Sequence, residues 1–147
     1  MIKNYTSEVP AARSVLRIEE QLMKHGAKNI MKLIEQQKLI GIAFIIPIGG
    51  IDTPFRLPAR IDRVELQLKK LVKRPRKGTL NKVSEQAART AWKILADWVD
   101  IQMALVELDQ AEFGEVFLPY MYDHQKEKTF FDKMKASGFK MLENKTR

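Results

Sequence analysis

Residues 39–57, LIGIAFIIPIGGIDTPFRL, decide the fold. The first ten are β-branched and nearly continuous, which suits a central strand. Gly49-Gly50 supplies the two positive-φ positions of a tight hairpin, and residues 51–57 return as a second strand. Pro47 and Pro54 each remove a ladder donor, so neither arm is expected to pair fully near the turn. Pro58 closes the pair.

Upstream, residues 29–35 read as one more short strand, joined to the hairpin by Gln36-Gln37-Lys38. Before it, Ala11, Val15, Ile18 and Leu22 recur at helical spacing, with Arg13, Arg17, Glu20 and Lys24 on the opposite face. Pro10 suits a first turn and Gly26 stops the pattern, giving an amphipathic helix over residues 10–25. Downstream, Ile61, Val64, Leu68, Leu71 and Val72 mark a helix over residues 59–73. The run Arg74-Pro75-Arg76-Lys77-Gly78 breaks it, and Thr79 is expected to cap a third helix.

That third helix contains no Gly or Pro up to residue 112 and spans on the order of 45–50 Å. It carries two apolar stripes. One runs through Val83, Ala87, Ala91, Ile94, Trp98, Ile101, Leu105 and Leu108; the other through Ala88, Trp92, Leu95, Val99, Met103 and Val106. Two stripes imply burial on both sides, and the four-three spacing of the first suits a helix–helix seam. A homo-oligomer joined through this helix is expected, the alternative being a break near Asp97 or Asp100. Residues 116–122, VFLPYMY, are expected to be extended, and Thr129 to cap a short final helix stopped by Ser137-Gly138. The fold class is therefore α+β, in the order α-β-β-β-α-α. It has a three-stranded antiparallel sheet with packed helices, one long helix and a small C-terminal cap. We expect a single domain over residues 1–147, with an α/β part over 1–73 and the long helix and cap over 79–147.

The 147 residues include no Cys, which rules out a disulfide framework and Cys-based zinc sites. Residues 1–10 have no apolar signal core, and the run at 39–48 is too short to span a bilayer, so a soluble intracellular protein with no membrane partner is expected. Charge is sharply divided. Residues 56–93 hold twelve Lys/Arg and three Asp/Glu, whereas residues 94–127 hold eight acids and one Lys. So concentrated a basic excess points to solvent or to an anionic partner, usually nucleic acid or a nucleotide.

The expected phosphate-binding set is Arg56, Arg60, Arg63, Lys70, Lys73, Arg74, Arg76, Lys77, Lys82 and Arg89. Several of these flank the start of the third helix, where free amides and partial positive charge favour an anion. The spacing is not that of a Walker loop. Arg56, Arg60 and Arg63 suit planar grip on phosphate, and Phe55, Tyr120 and Tyr122 are candidates for base stacking. Equally, Phe55 is a candidate core residue at a strand end. Trp92 and Trp98 sit in the apolar stripes and read as core. The acids Asp97, Asp100, Glu107, Asp109, Glu112 and Glu115 read as salt-bridge partners, within the chain or across an oligomer, rather than as a metal site. The two histidines, His25 and His124, have no nucleophile placed beside them, so neither catalysis nor a cofactor is expected.

Five blocks carry a family resemblance: residues 3–30 (KNYTSEVPAARSVLRIEEQLMKHGAKNI), 41–44 (GIAF), 55–60 (FRLPAR), 86–99 (QAARTAWKILADWV) and 115–123 (EVFLPYMYD). Together they resemble a group of small bacteriophage- and prophage-encoded proteins without an assigned activity. The resemblance implies a phage accessory protein in the bacterial cytoplasm. The leading expectation is a non-catalytic protein that binds nucleic acid through backbone phosphates. A second is an oligomeric anti-defence sponge that sequesters a small nucleotide signal in a pocket between subunits. A third is an inhibitor that docks on a host defence protein.

Overall fold

A computed structural model describes residues 2–143. The α+β class and element order expected from the sequence are present: α1 (Ala11–Lys24), β1 (Lys28–Glu35), β2 (Lys38–Ile48), β3 (Ile51–Pro58), α2 (Ile61–Lys70) and α3 (Thr79–Glu107). The cap follows as α4 (Phe113–Phe117), a 3-10 turn (Leu118–Tyr120), β4 (Tyr122–Asp123), β5 (Lys128–Thr129) and α5 (Phe130–Ala136). The sheet is antiparallel in the order β1-β2-β3, so the long apolar strand is central.

Gly49 and Gly50 have φ of 57° and 80°, the paired positive values of a two-residue hairpin, and Ile48 faces Ile51 across it. The register continues past both prolines, with Pro47 opposite Asp52 and Pro54 opposite Ile45. Pro47 is tolerated because β1 pairs with β2 only as far as Ile45, and beyond it β2 has a neighbour on one side alone. The first hairpin also turns on two residues, Gln36 and Gln37, both left-handed and neither a glycine.

One sheet face packs under α1 and α3. Ile42, Phe44 and Ile46 of β2 and Phe55 and Leu57 of β3 meet Val15, Ile18 and Leu22 of α1 and Trp92, Ala96, Val99 and Met103 of α3. Phe44 stacks on Phe55 at 5.3 Å, and Phe117 closes the cluster edge-on to Phe44 at 6.3 Å and to Trp98 at 5.4 Å. Burying side chains of this size stabilises by about 2 kcal/mol each before entropy is counted. The opposite face carries the cross-strand rows Met31–Ala43–Arg56 and Leu33–Gly41–Pro58. Met121 forms an isolated antiparallel bridge to Phe55 at the free edge of β3, just before β4. β4 pairs with β5 in a separate two-stranded sheet, and so the C-terminal cap lies beside that opposite face.

α3 is unbroken over 29 residues, about 43 Å, and no fold-back occurs near Asp97 or Asp100. Its first turns pack on α2 and the remainder on α1. Several boundaries differ from expectation. α2 ends at Lys70 and α3 at Glu107, three and five residues short of the predicted ends. Thr79 is the first helical residue rather than the cap. Gly78, left-handed at φ 83°, holds the cap position, while the Thr79 hydroxyl accepts from the Arg76 amide at 2.9 Å. Residues 116–122 are not extended as expected. A Glu112–Glu115 capping box starts α4, Phe113 stacks on Phe117 at 4.2 Å one turn later, and Pro119 sits in the 3-10 turn. Thr129 does cap α5, in a reciprocal box with Asp132.

Candidate functional site

The two charged blocks have opposite fates along α3. In its second half, Arg17 of α1 donates from Nη2 to Asp97 at 2.8 Å and from Nε to Asp100 at 2.9 Å. Lys93 reaches Asp97 at 2.6 Å, Asn4 donates to its other oxygen at 3.0 Å, and Gln21 donates to Asp100 at 3.1 Å. Lys24 and His25 both meet Glu107 at 3.3 Å. Burial works to raise the Asp97 pKa, but Lys93, Arg17 and Asn4 outweigh it and hold the carboxyl well below the usual carboxylate range. Asp97 in turn, against the burial of the group and with help from Asp100, raises the Arg17 guanidinium. These acids are satisfied within the chain, by α1 and by α3 itself. Among the described residues no group of three His, Asp or Glu side chains gathers to hold a metal ion.

The basic block is arranged differently. Among the described residues, none of the expected phosphate-binding residues, from Arg56 to Arg89, makes a salt bridge. Arg63 and Lys70 are exposed on α2, Lys73, Arg74, Arg76 and Lys77 on the α2–α3 connection, and Lys82 on the first turns of α3. Arg89 is half-buried and donates to Gln86 Oε1 at 2.7 and 3.2 Å. The first turn of α3 holds no acidic residue, so its partial positive charge adds to that of the connection. Lys82 and Arg89 border a shallow depression of about 430 Å³, floored by Leu68, Leu71 and Val72 of the α2 side. The local acid of α2, Glu65, turns to the Ser84 hydroxyl and to Lys69, which hold its pKa down against the effect of burial.

Arg56 and Arg60 stand apart from that tip. Arg56 lies on the opposite sheet face with its guanidinium carbon 4.0 Å from the centre of the Tyr122 ring, and its buried Nε has no hydrogen-bond partner among the described residues. Arg60 precedes α2 in a left-handed conformation, φ 54°. Both border a cleft of about 680 Å³ between the sheet and the cap, which Tyr120 and Tyr122 also line. Tyr120 packs edge-on to Trp98 at 5.7 Å. Phe55 does not join them: it is 1% exposed, stacked on Phe44 and enclosed by Phe113 and Phe117, so both its faces serve the core.

The structure thus brings Arg56, Arg60, Tyr120 and Tyr122 into one cleft and separates them from the tip by the length of α2, about 15 Å. The remaining lining residues, Leu33, Ile40, Pro58, Pro119, Glu127, Thr129, Phe131 and Asp132, were not among the expected site residues. The Thr129-x-x-Asp132 box was a readable signal for two of them. Glu127, left-handed at φ 53°, and Ile40, at the register shift of β2 against β1, had none. Among known proteins, no family model, curated protein or solved structure matches the chain. No helix among the described residues is long and apolar enough to cross a membrane.

Proposed function

We propose that this is a non-catalytic phage accessory protein that binds nucleic acid through backbone phosphates at the α2–α3 tip. The observation that carries the proposal is the contrast in pairing. The acids of α3 that face α1 are matched by cations of the same chain, whereas the basic residues of the tip make no salt bridge among the described residues. Exposed, unmatched and clustered positive charge attracts a polyanion and releases its counterions on contact. The resemblance to phage-encoded proteins supports an activity in the bacterial cytoplasm. A homo-oligomer joined through α3 belongs to the same proposal, because Ile101 and Leu108, 60% and 72% exposed, continue its apolar seam at the surface.

The test is binding of fluorescently labelled single- and double-stranded oligonucleotides across a salt series. Affinity should rise with strand length and fall steeply with salt, by nearly one logarithmic unit per unit of log salt for each phosphate contacted. Reversing two tip charges, Arg74→Glu with Lys77→Glu, should weaken binding roughly tenfold or more at low salt. Unchanged affinity in that variant would reject the tip as the contact.

A further inference from the structure

The cleft between the open sheet face and the C-terminal cap has features that the tip contact does not use. Arg56 is the first. A guanidinium whose buried Nε has no partner among the described residues is poorly served by its protein, and the contrast with Arg17, saturated by Asp97 and Asp100, is direct. Arg56 instead holds its guanidinium carbon 4.0 Å from the centre of the Tyr122 ring and makes no salt bridge among the described residues. Second, Arg60, at the start of α2, and Glu127, in the β4–β5 turn, meet on the cleft wall, so a cation and an acid from distant segments line one space. Third, the volume of about 680 Å³ is that of a small-molecule site rather than a surface groove for a duplex.

The lining defines the ligand. Two guanidiniums call for an anionic group, and the Tyr120 ring, with the part of Tyr122 that Arg56 does not cover, for a flat π surface. Two carboxylates, Glu127 and Asp132, call for N–H donors and repel a bare anion. The geometry points to a single nucleotide unit with an amino-bearing base: phosphate at Arg56 and Arg60, base against the tyrosines, its N–H edge toward the carboxylates. Guanine presents the most donors on one edge and suits them best. The cleft is complete within one chain, so such binding needs no second subunit. The nucleotide is either free or the terminal unit of a strand, and both present the same chemistry.

The test uses the full chain and titrates the four nucleoside 5′-monophosphates, guanosine and inorganic phosphate by calorimetry at constant ionic strength. Trp98 fluorescence follows the same titrations through its contact with Tyr120. We expect saturable binding strongest for the guanine nucleotide and weakest for the uridine nucleotide, with inorganic phosphate weaker than any of them. Arg56→Gln and Tyr122→Leu should each weaken it roughly tenfold. Arg56→Lys should also weaken it, since charge survives but the planar guanidinium does not. Tyr122→Phe, which keeps the ring, should bind like the parent and guards against reading a folding defect as a lost contact. Arg74→Glu with Lys77→Glu should leave mononucleotide binding intact, so the cleft and the tip stand or fall separately. Displacement of the mononucleotide by a 5′-phosphorylated oligonucleotide assigns the cleft to a strand end; no displacement assigns it to a free nucleotide. The inference is overturned if no monophosphate binds saturably or if inorganic phosphate or the uridine nucleotide binds as well as the guanine nucleotide. It is equally overturned if folded Arg56→Gln and Tyr122→Leu proteins bind unchanged.

Discussion

The two halves of α3 are one helix with two electrostatic solutions. Its second half is acidic and runs along α1, whose Arg17, Lys24 and His25 meet Asp97, Asp100 and Glu107. Its first half is basic and runs along α2, whose Glu65 is already engaged by Ser84 and Lys69 and whose other acid, Asp62, lies in its first turn. Charge on the second half therefore contributes to holding two helices together. On the first half, Lys82 and Arg89 make no salt bridge among the described residues, and their charge adds to that of the connection.

The sharpest way to break that contrast is Arg17→Leu. It leaves Asp100 facing Gln21 alone and removes one of two cations from Asp97. The expected loss is about 2 kcal/mol, read by urea unfolding, with oligonucleotide affinity unchanged. A pH series gives the same contrast a second readout. Because the folded Asp97 pKa is depressed, its contribution is fully present above the unfolded value of about 4 and is lost as pH falls through the folded value. Asp97→Asn should therefore lower stability at neutral pH and flatten the acid limb of the stability profile below about pH 4.

The first half should answer in the opposite sense. Arg74→Glu with Lys77→Glu should leave stability within about 0.5 kcal/mol of the parent, or raise it slightly by relieving repulsion, while removing strand binding. A large destabilisation of this variant would mean that the tip charges are structural, and the division between the halves would dissolve. Gly78→Ala probes the backbone under the tip. At φ 83° an alanine is strained, and the expected cost is about 1 kcal/mol in thermal unfolding. Binding should survive it, because the charges flank that position rather than depend on it.

Which parts of this were legible follows from where the determining contacts lie. The β2–β3 hairpin was readable because its turn and both arms are local: Gly49-Gly50 between two apolar runs has few other solutions. α3 was readable because nothing in residues 79–107 breaks a helix. Residues 113–123 misled because their aromatics admit two periods. Phe113 and Phe117 stack as helical neighbours, yet VFLPYMY also passes for a half-buried strand, and only the Glu112–Glu115 box decides between them. The tip was visible as a run of charges. The cleft was not, because Arg56 and Tyr122 meet only through the Phe55–Met121 bridge at the sheet edge, a pairing no local pattern encodes. Arg60 was named for its charge, whereas its left-handed backbone carries no signature in an arginine.

The smallest expected effect on stability concerns the exposed apolar residues of the acidic half. Ile101 and Leu108 belong to the seam that runs through Ala87, Ala91, Ile94 and Trp98, yet both are exposed although α1 runs beside α3 as far as Glu107. Leu16 and Met23 of α1 are likewise more than half exposed. In an isolated chain Ile101→Asp changes stability by no more than about 0.5 kcal/mol, since the side chain is already 60% in water. If the helix is a joint between copies, the same substitution places a charge in an apolar contact and should shift the mass measured by light scattering from oligomer to monomer. The acids that could otherwise repel an approaching copy, Asp97, Asp100 and Glu107, are already neutralised by α1. Pairing within the chain would then serve a second purpose, making an acidic helix face compatible with self-association. A parent protein that is monomeric at high concentration would confine α3 to its own subunit and leave Ile101 and Leu108 as ordinary exposed side chains.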